Sequence, residues 1–214
     1  MRILRRISAK ESIQHESSAH QRQPPREGLH LHRPFPIAGE LKAQGIETEI
    51  LHVGGQPVGG CIGCGGCRSG NGCVFGGVVN EAIEKAKTAD AFVFGSPVHY
   101  ASAAGNMASF MDRLAYAGGK YLAYKPAAVC CSARRAGTTS TLDQLVKYPQ
   151  FFHMPLVNGS YWAMVHGSNP EQVLQDAEGC AVMQELGRNM AWLLRCIEAG
   201  KAAGIDHPQN PPAP

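Results

Sequence analysis

Cys61, Cys64, Cys67 and Cys73 stand together in the run CIGCGGCRSGNGC, and four thiols at that spacing are able to enclose a soft metal centre. Thiolates select zinc, copper(I) or iron-sulfur clusters. Gaps of two, two and five residues are more compressed than the separated knuckles of a zinc ribbon, which puts iron-sulfur first. The interleaved Gly63, Gly65, Gly66, Gly70 and Gly72 suit it, because glycine reaches backbone conformations closed to other residues. A zinc site, a redox dithiol with two bystanders and a disulfide staple remain as alternatives. No apolar segment of signal-peptide type opens the chain and no stretch has membrane-span length. The expectation is therefore a cytoplasmic protein without a membrane partner, where staples are disfavoured. Cys130, Cys131, Cys180 and Cys196 lie in apolar or helical text, where a cysteine behaves as a small hydrophobe.

The elements that must position this run follow from composition and periodicity. A chain of 214 residues, 44% hydrophobic and with 25 glycines, suits one turn-rich α/β domain with a substantial core. Its formal charge of +3 belongs to the head: the first 36 residues hold seven of the 20 Lys/Arg and three of the 17 Asp/Glu. No basic stripe with interleaved aromatics marks a nucleic-acid surface.

From Ile37 the text is regular. IAGELKAQG ends an amphipathic helix at Gly45, and IETEILHVG alternates as a strand. VVNEAIEKAKTAD is a helix with Val78, Val79, Ala82, Ile83 and Ala86 on one side. Ala91 to Phe94 is an apolar strand closed by Gly95 and Pro97, of the kind buried on both faces of a parallel sheet. Residues 103–117 form a helix, KPAAVCCS a strand, TSTLDQLVKY a helix and MPLVNGSYW the last strand. One long helix follows, capped by Asn169 with Pro170 at its first position. The proline-rich tail, residues 205–214, is expected to be disordered. This alternation predicts a doubly wound parallel sheet, whose ligands sit outside the carboxyl ends of the strands.

Two segments at those ends are unusual: GSPVHYASAAGNMASFMDR and SARRAGTT. Small residues, a proline and an exposed aromatic make a flat slot suited to a planar heteroaromatic ring, with Arg134 and Arg135 able to neutralise an anionic ring or a phosphate. Taken singly, His99 reads as an ordinary surface residue, Tyr100 as a core aromatic, and Asp112 and Arg113 as the end of a helix. Trp162 and His166 read as packing or rim. No Ser/His/Asp or paired-carboxylate arrangement stands out for hydrolysis.

The first of these segments resembles the flavin-ring loop of the NAD(P)H-dependent FMN reductase family of flavodoxin-like proteins. The cysteine run resembles that of its iron-sulfur flavoprotein branch, and the similarity spans residues 37–204. The resemblance implies a flavodoxin-like sheet of order 2-1-3-4-5. It implies FMN lined on one side by Ser96, Pro97, Val98, His99, Tyr100, Ser102 and Gly105. On the other side stand Ser132, Ala133, Arg134, Arg135, Gly137 and Thr138. Cys61, Cys64, Cys67 and Cys73 match the four cluster ligands, implying a 4Fe-4S cluster. The expected function is an FMN-dependent oxidoreductase passing electrons from NAD(P)H to a small acceptor such as a quinone or flavin, with no catalytic side chain because the flavin carries the chemistry. One alternative is an electron-transfer iron-sulfur flavoprotein with a ferredoxin-like partner; a second is a zinc-stabilised module without enzymatic activity. Relatives are commonly dimers or tetramers.

The head departs from that pattern. The family opens with a buried strand and a phosphate-cradling turn of the kind N-G-S-P-R-x-x-G-x-T, whereas residues 1–36 contain no buried strand beyond RIL, no helix period and four of the nine histidines. Read one base later, the codons available to His15 through Pro36 permit MKVVLINGSPREKGCTYTALS: a start, a strand, a phosphate loop and a helix, in family order. Residues 1–36 are accordingly expected to be an aberrant, out-of-frame head, with the frame restored near Pro36 and Ile37. The first strand is then absent or replaced, and residues 37–204 form the flavodoxin-like domain.

Overall fold

The computed structural model describes residues 2–5 and 36–209; residues 6–35, which hold most of the expected out-of-frame segment, lie outside them. Strand β1 spans Arg2–Arg5, followed by helix α1 (Pro36–Ala43), β2 (Glu47–Ile50), α2 (Val78–Thr88), β3 (Ala91–His99), β4 (Ser102–Ala103) and α3 (Gly105–Gly118). Then come β5 (Ala127–Ala133), α4 (Thr138–Phe151), β6 (Met164–His166), α5 (Pro170–Val173) and α6 (Ala177–Ala202). The sheet runs β2-β1-β3-β5-β6, with the short β4 paired to β3. β3, β5 and β6 are parallel, as the alternation of strands and helices predicts.

Alternation along β3 builds the two layers. Phe92 and Phe94 point to one face, where they pack with Val79, Ile83, Phe110 and Leu114 of α2 and α3. Ala91 and Val93 point to the other, against Ile37 and Leu41 of α1 and Met183, Leu186 and Met190 of α6. Residues of period two thus meet helices of period 3.6 on both sides, and each buried Phe, Leu or Ile contributes about 1.5–3 kcal/mol. This is the expected doubly wound α/β class.

Three details differ from the sequence reading. β3 runs on through Gly95 and Pro97 to His99, because Gly95, Ser96 and Pro97 stay in parallel register with Cys130, Cys131 and Ser132. MPLVNGSYW is not the last strand. It makes one isolated bridge, Leu156 to Ala127, and the edge resumes only at Met164. The Asn158–Gly159–Ser160 excursion separates the two, held out by Ser160 N donating to Glu185 Oε2 at 2.8 Å. The final helix is two: Asn169 caps α5 through Gln172 N, and Asp176 caps α6 through Gly179 N, so a second N-cap restarts the helix after Val173. In the tail, residues 205–209 have no helix or strand, and the His207 ring stacks on Tyr124 at 4.4 Å.

The central slot of the sheet is filled, though not as in a flavodoxin. β1 lies between β2 and β3 and is antiparallel to both, with Arg2 opposite Ile50 and Val93. The expected replacement of the first strand thus takes the form of RILR running in reverse.

Candidate functional site

The carboxyl ends of β3 and β5 lie side by side, Pro97 in register with Ser132, and the two loops that leave them brace each other. Ser96 is buried; its Oγ accepts from Ala104 N at 2.9 Å and donates to Pro97 O at 2.8 Å, closing the loop from 96 to 104 on itself. Gln144 of α4 supports the same loop, its Oε1 accepting from Ser102 Oγ at 2.7 Å and Ala103 N at 2.8 Å. Ser140 Oγ donates to Ala101 O at 2.7 Å. At the start of α4, Gly137 has φ +96°, and a Cβ there would meet Ala101 Cα at 2.7 Å. Only glycine lets the two loops approach so closely.

The resulting ledge is unusual in two ways. Tyr100 and Ala101 adopt left-handed backbone, φ 50° and 59°, and Tyr100 is fully exposed. Such strain collects where a loop is shaped for a ligand. Ser132 is buried, yet its Oγ has no hydrogen-bond partner among the described residues. A buried hydroxyl left unpaired costs about 1–3 kcal/mol, a debt that a polar ligand atom at the strand end would settle. Val98 and His99 end β3, Ser102 begins β4 and Gly105 opens α3; Ala133 is buried, Arg134 and Arg135 are exposed beside it, and Thr138 is buried at the helix start. Residues 96–105 and 132–138 are therefore brought together in one ledge, and the orphaned hydroxyl and braced loops fit a planar cofactor such as FMN.

The cysteine run forms an exposed loop before α2, with Gly63, Gly65, Gly70 and Gly72 all at positive φ. Cys61, Cys64, Cys67 and Cys73 are free thiols. Cys61 and Cys64 are exposed and Cys67 and Cys73 half-buried. No three Cys, His, Asp or Glu side chains among the described residues converge to metal-binding distances. The donor chemistry fits a soft metal or cluster, but the cage is not assembled. Cys73 is the best-held of the four: its N–H donates to Asn80 Oδ1 at 2.8 Å, its carbonyl accepts from Asn80 Nδ2 at 3.0 Å, and its Sγ accepts from Arg113 Nε at 3.2 Å. Cys130 and Cys131 are core residues, as expected; burial pushes the Cys131 thiol up to about 12, so it is no thiolate.

Sequence reasoning missed Gln144, Asn106, Asn80 and Arg113. Arg113 does not end a helix. It sits mid-α3 on the face of Phe110 and Leu114 and is buried, and a cation within an apolar stripe was the signal that could have found it. Its neighbour Asp112 accepts from Tyr148 OH at 2.6 Å, tying α3 to α4.

Residues 36–169 match the sequence profile of NADPH-dependent FMN reductases. The chain belongs to that family. Among curated proteins similar to this FMN reductase homologue, an iron-sulfur flavoprotein of Methanocaldococcus jannaschii is 27% identical over 166 residues, 74% of this chain and 86% of its own length. An iron-sulfur flavoprotein of Methanosarcina thermophila is 23% identical over 183 residues, 83% of this chain and 94% of its own. Solved structures agree on the fold. RosB with a bound intermediate has a TM-score of 0.56 at 14% identity, covering 90% of this chain and 89% of its own. An NADH:FMN oxidoreductase in apo form has 0.50 at 14%, covering 76% and 83%. The fold is flavodoxin-like, and family membership makes this an FMN-dependent oxidoreductase. No helix among the described residues is long and apolar enough to cross a membrane.

Proposed function

We propose that the protein, with its first strand and phosphate loop restored, oxidises NAD(P)H and passes the electrons to a small acceptor, a quinone or free flavin, through FMN seated on the ledge between residues 96–105 and 132–138, and that the chain as it stands is impaired in this. When bound, FMN supplies the hydride-accepting ring. The protein's part is to hold it: Ser132 Oγ offers a buried hydrogen bond, Ser96 and Gln144 keep the first loop closed, and Tyr100, exposed at the rim, covers the slot. Arg134 and Arg135 supply positive charge to an anionic ring or to a nicotinamide phosphate. The observation that carries this reading is the buried Ser132 Oγ at the strand end, unpartnered among the described residues. Oxidation of NADPH and NADH with a quinone, followed by loss of nicotinamide absorbance, tests it; turnover without added quinone or flavin acceptor matching turnover with it would count against the acceptor assignment.

A second reading is supported by the cysteine loop. In it, Cys61, Cys64, Cys67 and Cys73 hold a 4Fe-4S cluster, and the protein carries electrons to or from a ferredoxin-like partner. The free thiols, the left-handed glycines between them and the Arg113 donor to Cys73 Sγ support it, as do the names of the two archaeal relatives. The four free thiols of the run suit a reducing cytoplasm. A homodimer or homotetramer is the proposed assembly, which light scattering measures directly.

We further propose that residues 15–36 are an out-of-frame translation of the first strand and phosphate loop. Two observations support this: the family match begins at residue 36, where the shifted text ends, and the central strand position is occupied by an antiparallel Arg2–Arg5. Sequencing the gene tests it; an unbroken frame across this region sinks the idea.

A further inference from the structure

Helix α3 begins at the ring ledge, and two of its side chains reach the cysteine loop. Near its start, Asn106 Oδ1 accepts from Val58 N at 3.1 Å and its Nδ2 donates to Gln56 O at 3.2 Å. Seven residues on, Arg113 donates through Nε to Cys73 Sγ at 3.2 Å, through one terminal nitrogen to Gly76 O at 3.0 Å and through the other to Gly59 O at 3.4 Å. Positions seven apart share a helix face, about 10 Å apart along the axis at 1.5 Å per residue. Between them, a Cβ at Gly60 would stand 3.8 Å from Ser109 Oγ. The chain on both sides of the cysteines is therefore laid along one face of one helix. Arg113 is 6% exposed, packs over Phe75 at 5.5 Å, and has no carboxylate partner among the described residues. A buried cation is destabilising unless an opposite charge meets it, and the one side-chain acceptor it is given is Cys73 Sγ.

We propose that Asn106 and Arg113 are positioning residues that fasten the cysteine loop to α3, and that Arg113 sets the electron affinity of the group held at Cys73. The second half rests on the cluster reading above; the first does not. Asn106 anchors the loop's entry. Arg113 anchors its exit and places a fixed positive charge and an N–H donor on the sulfur. The helix thereby holds the cysteines at one distance from the ledge at its own N-terminus.

The test uses the full chain with R113Q, R113K and N106A. Trypsin cleavage after the exposed Arg68, inside the loop, is timed in protein free of iron, against cleavage at other exposed basic residues as the control. R113Q and N106A should each be cut after Arg68 at least tenfold faster with the control sites unchanged. Should R113Q fail to fold, N106A decides this half, because it leaves the buried charge in place. Each chain is then treated with ferrous iron and sulfide, and the reduction potential of the product measured. R113Q should shift it to more negative values, R113K should restore part of the shift because it keeps the charge without the planar fork, and N106A should leave it unchanged. Equal cleavage in all chains overturns the fastening. Equal potentials overturn the role of Arg113 at Cys73. A wild-type chain that takes up no iron overturns the cluster reading and with it that role, while the cleavage rates still decide the fastening.

Discussion

Ser132 concentrates the account into one atom. Its hydroxyl is buried and unpaired among the described residues, at a cost of about 1–3 kcal/mol that a flavin would remove. Ser132→Ala should therefore raise the melting temperature of flavin-free protein by roughly 2–12 °C, taking about 2–4 °C per kcal/mol for a chain of this size. It should weaken FMN binding about tenfold, a loss of about 1.4 kcal/mol; thermal melts with and without FMN read both. Thiol chemistry gives a second check. Alkylation of the folded protein followed by peptide mass mapping should label Cys61, Cys64 and Cys196, which are exposed, and spare Cys130 and Cys131. Labelling of Cys131 at the rate of Cys61 would mean the β5 core is open. The two braced loops and the cysteine run were legible in the sequence as segments because their residue types are rare in such clusters. Asn106, Arg113 and Gln144 were not, since each acts on chain that is distant in sequence and near only after folding.

At the scale of elements, α4 is the brace of the site. Gln144→Leu removes the acceptor shared by Ser102 and Ala103 and leaves a buried N–H unpaired, about 1–3 kcal/mol, so FMN affinity and melting temperature should both fall. Gln144→Glu keeps an acceptor oxygen and should recover much of the loss; equal behaviour of the two variants would show that the acceptor is irrelevant. The α6 cap adds a pH dependence. Burial alone would raise the Asp176 carboxyl, but the N–H groups of Gly179 and His166 and the adjacent imidazole outweigh it and hold the carboxyl below its usual range. A depressed carboxylate contributes stability that is fully present above the ordinary Asp value of about 3.9 and is lost as pH falls through the lower folded value. Asp176→Ala should cost about 1 kcal/mol at neutral pH and flatten the acid limb of the stability profile, measured by urea melts from neutral to acid pH. Helices and buried strands were readable because their periods repeat over a dozen residues. The last strand was misplaced because its edge pairing is split: Leu156 and Met164 join the same neighbour on either side of a loop, and an apolar run carries no mark of that break.

For the whole molecule the decisive feature is the centre of the sheet. A flavodoxin-like fold puts a parallel strand there, feeding a turn whose amides cradle the FMN phosphate at a helix N-terminus. Here Arg2–Arg5 runs antiparallel between β2 and β3, so β1 ends beside Ala91, at the opposite end of the sheet from the carboxyl ends of β3 and β5, and no such turn stands at those ends among the described residues. The ring ledge stands while its phosphate counterpart is unaccounted for among the described residues. Composition and periodicity carry no mark of a displaced strand; the proposed out-of-frame segment is supported instead by codon arithmetic and by the start of the family match at residue 36. The most direct measurement is the FMN-to-protein ratio, from the visible spectrum, of this chain beside one in which the shifted reading of residues 15–36 is restored. The account predicts a yellow protein with about one FMN per chain for the restored sequence and little flavin for the chain as it stands. Equal occupancy in the two would contradict it.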